Sequence, residues 1–140
     1  MQLNGTIPDE LHHLSSLETL TLIDNEIYGQ IPTTLGQMQK LVDVDLHSNQ
    51  LTGTIPDEIF DLNRIVNLNV GYNKLNGTLS SSIGALTSMK GLHVTNNYLT
   101  GAIPTEIGLL GNTLGTYIKS YMNHPKLSLL TFSSRIEKTT

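Results

Sequence analysis

The sequence predicts an α/β solenoid, a coil of short turns in which each turn gives one strand to a continuous parallel sheet. Three observations predict it. The phrase Leu51-Thr52-Gly53-Thr54-Ile55-Pro56-Asp57-Glu58 occurs earlier in the chain as Leu3-Asn4-Gly5-Thr6-Ile7-Pro8-Asp9-Glu10. Related phrases begin at Ile27, Leu75 and Leu99, so five repeats start at 3, 27, 51, 75 and 99, at one constant interval. A fixed period of roughly 20–50 residues implies stacked turns rather than one globular core. Second, the pairs Leu20/Leu22, Val44/Leu46, Leu68/Val70 and Leu92/Val94 place apolar residues two apart, the spacing of a half-buried strand. Third, each pair is followed by an asparagine in register: Asn25, Asn49, Asn73 and Asn97.

Each element of the repeat has a physical reason. A strand that returns only once per repeat is too far along the chain for a hairpin, so it pairs in parallel with its counterpart in the next turn. The asparagine closes the strand where the chain bends inward and leaves backbone groups away from water. Its amide offers both a donor and an acceptor, so Asn25, Asn49, Asn73 and Asn97 are expected to form an internal ladder. Gly5, Gly29, Gly53, Gly77 and Gly101 mark a second bend. Pro8, Pro32, Pro56 and Pro104 suit the first position of a short helical turn. Asp9/Glu10, Asp57/Glu58 and Glu106 put acid at its start, favourable for the helix dipole. Leu11/Leu14, Leu35/Met38, Ile59/Leu62, Ile83/Leu86 and Ile107/Leu110 then point back to the core. In the fourth repeat Leu79-Ser80 stands where Ile-Pro stands elsewhere, which predicts a looser turn in the same frame. The fifth repeat loses its frame after Leu110. Residues 1–113 are therefore expected to form the repeat domain, and 114–140 a degenerate C-terminal cap or tail, with apolar residues over 114–132 covering the open end of the stack.

Composition narrows the function. The chain has 140 residues and a formal charge of −4, with 4 basic and 11 acidic residues in 1–110 and a balance of +3 over 111–140. An acidic body argues against nucleic acid, which calls for a basic face. There are no cysteines, so disulfides and thiolate metal sites are excluded. No apolar run approaches the roughly 18–20 residues that a membrane span needs, and no secretory leader is visible before the first repeat.

The residues Leu35-x-x-Met38-x-x-Leu41-x-x-Val44-x-Leu46-x-x-Asn49-x-Leu51-x-Gly53-x-Ile55-Pro56 resemble the leucine-rich repeat family, specifically its plant-type 24-residue class. The resemblance covers residues 3–110. It implies a right-handed leucine-rich-repeat superhelix with a parallel β-sheet on the concave face and short 3₁₀ or strand segments on the convex side. It also implies a non-catalytic module that binds a protein or peptide on the concave face, at the cell surface or outside the cell. Family ectodomains usually begin with a leader and a cysteine-containing cap, and neither is visible, so the chain reads as part or fragment of a receptor-like protein. The alternative is a repeat spacer with no dedicated ligand.

On such a sheet the outward strand positions form columns. Thr19, Thr21, Asp43, Asp45, His47, Asn67, Asn69, His93 and Thr95, with Tyr72 at the edge, are the candidate ligand-binding residues. Ile23, Gly71 and Gly91 fill the remaining outward positions. Asp43, Asp45 and His47 are proper ligand types for a divalent ion. Alternate strand residues, however, lie roughly 6.5–7 Å apart, wide for a compact site, so neither a metal nor another cofactor is expected. The same openness argues against catalysis by the two carboxylates, since nothing excludes water. His12-His13 falls on the convex return and reads as a solvated or partly covered pair. Asn4-Gly5-Thr6 and Asn76-Gly77-Thr78 are N-glycosylation sequons, although Asn-Gly is also turn chemistry. Leu3, Ile7 and Leu14 on the first turn have nothing before them to cover them, which makes that end a candidate for end-to-end self-association.

Overall fold

The computed structural model describes residues 2–110 and 127–128. The chain coils as the repeat demands, but every turn except the fourth carries a second short strand that the apolar pairs alone do not indicate. In chain order the strands are β1 (Asn4–Gly5), β2 (Thr19–Thr21), β3 (Glu26–Gln30), β4 (Asp43–Asp45), β5 (Gln50–Thr52), β6 (Asn67–Asn69), β7 (Gly91–His93), β8 (Gly101–Ala102) and β9 (Leu127–Ser128).

Two sheets result. The first runs β2-β4-β6-β7, all parallel, with Thr19 opposite Asp43, Asp43 opposite Asn67 and Asn67 opposite Gly91. Its register equals the sequence period, so equivalent residues stand side by side. This is the concave sheet. The second runs β1-β3-β5 along the flank. There Asn4 faces Glu26 and Tyr28 faces Gln50. That step falls short of the sequence period by two positions, so the flank sheet is sheared by the same amount at every turn. Bonds from Lys74 N to the Leu51 carbonyl and from Asn76 N to the Gly53 carbonyl carry the ladder into the fourth turn. The apolar pairs predict a single strand per turn, and the structure adds this flank strand. It arises because Ile27 and Leu51 point inward, buried, between exposed neighbours. Gly29 sits inside β3 at φ 84°, a left-handed conformation that glycine adopts without steric cost. The bend does not end the strand.

Opposite the concave sheet each turn holds one 3₁₀ segment: Asp9–His13, Thr33–Gln37, Asp57–Asp61, Ser81–Ala85 and Thr105–Leu110. Pro8, Pro32 and Pro56 lie one residue before these segments, with extended ψ of 143°, 134° and 139°. The proline is the cap and not the first helical residue. Its carbonyl accepts the N–H three residues on, at 3.1 Å in each of these three turns. In the fourth turn the Ser80 hydroxyl accepts from Ser82 N, which replaces the restraint of the missing proline ring. The segment keeps its five residues, and the closing bond from Ile83 N to the Ser80 carbonyl is 3.3 Å.

The core is the column of leucine-type residues between these layers. Leu41, Leu46, Ile65, Leu68, Val70, Leu75, Ile83, Leu86 and Leu92 are completely inaccessible. Among the expected inward residues the first turn differs. Leu14 is 53% exposed and Leu3 57%, because no turn stacks on that side. Ile7 is buried; it lies under the second turn, whose Ile31 occupies the equivalent place in the core. The expected cap over 114–132 lies outside the described residues, except for β9, which pairs in parallel with β8.

Candidate recognition surface

The bend after each concave strand is set by the asparagines. Asn73 is buried, and its Nδ2 lies within donating distance of three carbonyls: Leu46 at 2.9 Å, and Val70 and Gly71 at 3.2 Å. Its Oδ1 accepts from Leu51 N at 2.9 Å. Asn49 and Asn97 repeat the pattern, reaching Leu22 and Val70 in the preceding turn and accepting from Ile27 N and Leu75 N. Each amide thus joins two turns. Asn25 has no preceding turn to reach, is only half-buried, and bonds to Leu22, Ile23 and Leu3.

The residue before each asparagine takes a left-handed conformation: Asp24 (φ 54°), Ser48 (55°), Tyr72 (52°) and Asn96 (53°). Asn and Asp tolerate it, whereas serine and tyrosine carry a steric cost. The sequence points to Tyr72 at the sheet edge but not to this conformation, because four different residue types occupy the position. Its only signal is its fixed place before the asparagine.

On the concave sheet the outward side chains meet across strands. Asn67 Nδ2 donates to Asp43 Oδ1, and Asn69 Nδ2 donates to Asp45 Oδ2 at 3.2 Å. Asp45 Oδ1 also accepts from His47 N at 3.1 Å, and Asn69 Oδ1 accepts from Gly71 N at 3.1 Å. The His47 ring lies 4.9 Å from the Tyr72 ring, tilted by 57°, and its Nδ1 is 2.9 Å from the Ser48 hydroxyl. Asp45, Asn69, His47 and Tyr72 are therefore linked into one polar group, and the Asp43–Asn67 pair stands beside it on the same two strands. Gly91 makes room for it, since a Cβ there would stand 2.6 Å from Asn67 Oδ1. His93 and Thr95 are half-buried at the far side of the patch, and Thr19 and Thr21 are exposed on the first strand. His12 and His13 stack at 4.2 Å on the other side of the molecule.

Among the described residues no group of three or more His, Asp or Glu side chains is placed to hold a metal ion, and no helix is long and apolar enough to cross a membrane. One ion pair, Arg64 with Glu18 at 3.8 Å, is found among the described residues, and both side chains are exposed. Such pairs contribute little.

Residues 40–62 match the sequence profile of the Leucine Rich Repeat family. The described fold is similar to that of the BIR2 ectodomain from Arabidopsis thaliana, with a TM-score of 0.73 and 36% identity over 76% of this chain and 56% of that one. The chain belongs to the leucine-rich repeat family. Its repeats are of the plant type. The array is also similar to the plant peptide hormone receptor RGFR1 in complex with RGF2 (TM-score 0.77, 30% identity, 78% of this chain and 18% of that one). A plant ice-binding protein is similar too (TM-score 0.75, 30% identity, 79% and 36%). No curated protein matches by sequence. The leucine-rich repeat chain spans about half the length of the BIR2 ectodomain and under a fifth of RGFR1. A peptide hormone receptor and an ice-binding protein thus share one scaffold, which does not by itself select a ligand.

Proposed function

We propose that this leucine-rich repeat array is a non-catalytic recognition module that binds a protein or peptide across its concave sheet, in a cell-surface or secreted setting. The observation that carries the proposal is the polar patch of Asp43, Asp45, Asn67, Asn69, His47 and Tyr72, in which each aspartate is bonded to an asparagine of the next strand. Its carboxylates are held in place by cross-strand amides before any ligand arrives, so little side-chain freedom is lost on binding. An aromatic ring at the patch edge supplies the kind of rigid anchor that dominates protein interfaces. Similar structures support the ligand class: PEPR1 was solved with AtPEP1, and BIR3 with SERK2.

The test is charge reversal on the sheet. The wild-type array and the Asp43→Lys/Asp45→Lys variant are used to capture ligands from extracellular protein and peptide fractions, with circular dichroism to confirm folding of both. Loss of a captured ligand in the folded variant supports the proposal. If neither form captures anything, the alternative of a repeat spacer stands in its place.

A further inference from the structure

We propose that Asn4 and Asn76 on the flank sheet are acceptors for N-linked glycans, and that the flank is therefore a sugar-covered face rather than a docking face. The competing explanation is that asparagine precedes glycine here only to make the bend. The structure supplies the comparison that separates the two. Gly77 follows Asn76 with φ 82°. Gly29, Gly53 and Gly101 make the equivalent bend at 84°, 77° and 86°, but they follow Tyr28, Thr52 and Thr100. At these four glycines the bend is the same whether Tyr, Thr or Asn stands before, so turn geometry does not ask for Asn76; Gly5, after Asn4, stands apart at φ 126°, and the comparison speaks for Asn76 alone.

Nor does the Asn76 side chain hold the turn together. Its backbone N–H bonds to the Gly53 carbonyl at 2.7 Å, while its side-chain amide makes no hydrogen bond with the described residues and the residue is exposed. Asn4 is exposed too, and its Nδ2 has one weak partner, Glu26 Oε2 at 3.5 Å. The second half of each sequon is also open. Thr6 and Thr78 are exposed, and the methyl of Thr78 sits against the bare Cα of Gly101, where a Cβ would be 2.9 Å away. Its hydroxyl makes no hydrogen bond with the described residues. Of the five turns only the first and fourth combine Asn with Thr two residues on. With strands about 4.8 Å apart and a register that also slips two residues per turn, the two acceptors, three turns apart, stand more than roughly 14 Å from each other, far enough for two glycans.

The reaction is a group transfer. The Asn side-chain nitrogen forms a bond to the anomeric carbon of a polyprenyl-diphosphate-linked oligosaccharide. The bond from that carbon to the diphosphate oxygen breaks, the diphosphate leaves with its electron pair, and the amide nitrogen gives up one proton. The inference rests on the extracellular setting proposed above, and it implies that a ligand approaches the concave sheet while the flank stays covered.

The full chain is expressed behind an added secretion leader in a glycosylating eukaryotic host, and its mass is measured before and after treatment with an N-glycosidase. The expected result is a loss of two glycan masses from the wild type, of one from Asn4→Gln and from Asn76→Gln, and of none from the double variant. Thr78→Ser keeps the glycan at Asn76, and Thr78→Ala loses it. A secreted, folded wild type with the mass of the bare polypeptide overturns the proposal, and a single glycan overturns it for the empty site. Glycosylated chains that capture no ligand count against the recognition surface alone, and a bare chain that still captures one counts against the glycan assignment alone.

Discussion

Asn73 shows how one side chain can hold two turns together. A leucine in its place has similar branching but leaves the Leu51 N–H without its acceptor in a buried site, and it removes one of the two amide donors to the Leu46 carbonyl, which Asn49 still reaches. An unsatisfied buried group costs about 1–3 kcal/mol, so Asn73→Leu is expected to lower the thermal unfolding midpoint by several degrees. Asn25→Leu should cost less, because Asn25 is half-open to water and has no turn before it. Equal losses in the two variants would contradict this account. Tyr72 makes the opposite case. Its left-handed backbone costs a non-glycine residue roughly 1–2 kcal/mol, and asparagine visits that region readily. Its ring is 52% exposed, so little packing is lost on substitution. Tyr72→Asn is expected to gain about 0.5–1 kcal/mol in denaturant unfolding while weakening capture of a concave-face ligand. A destabilised variant would show that the tilted ring contact with His47 outweighs the backbone strain. The asparagines were legible in the sequence from their spacing and chemistry. The strained position was not, because backbone angles leave no mark on a column that holds Asp, Ser, Tyr and Asn.

At the level of the element, the 3₁₀ segments pack so closely that one glycine decides the spacing. A Cβ on Gly36 would collide with the Glu58 carbonyl of the next turn, whereas a Cβ on Gly108 meets nothing within 4 Å among the described residues. Overpacking of this kind typically costs about 1–3 kcal/mol. Gly36→Ala should therefore shift the denaturation midpoint downward by a corresponding amount, with Gly108→Ala near neutral as the matched control; comparable midpoints for the two would refute the close approach. The glycine column was unreadable in the sequence, since His12, Gly36, Phe60, Gly84 and Gly108 share it and nothing local says which neighbour comes close. The flank strand was hidden for a related reason. Glycine in Leu51-Thr52-Gly53 signals a bend, and only pairing with the next turn shows that the strand runs up to it.

The whole molecule is a one-dimensional stack, so stability depends on place in the line. Each turn is held by its neighbours, and the first described turn has a neighbour on one side only, with Leu3 and Leu14 exposed. Amide hydrogen exchange should therefore be slowest for Val44 and Leu68 in the middle strands and distinctly faster for Leu20 at the edge. Uniform protection along the stack would mean that the array unfolds as a single unit. The concave patch lies on β4 and β6, in the part expected to open least, which suits a surface whose side chains are set in advance.

The sequence by itself determined the repeat, the parallel sheet, the inward leucines and the buried asparagines. Each of these depends on the chemistry of one position taken once per repeat, and a period survives in a linear string. Tertiary structure alone decided which outward side chains meet. Asn67 reaches Asp43, and Asn69 reaches Asp45, only because the concave sheet pairs at the full repeat period. The flank sheet, pairing Tyr28 with Gln50, steps two positions short of it. Register between turns is fixed by packing and hydrogen bonds between residues far apart in the chain. No local pattern states it, and the surface that would carry recognition is made by it.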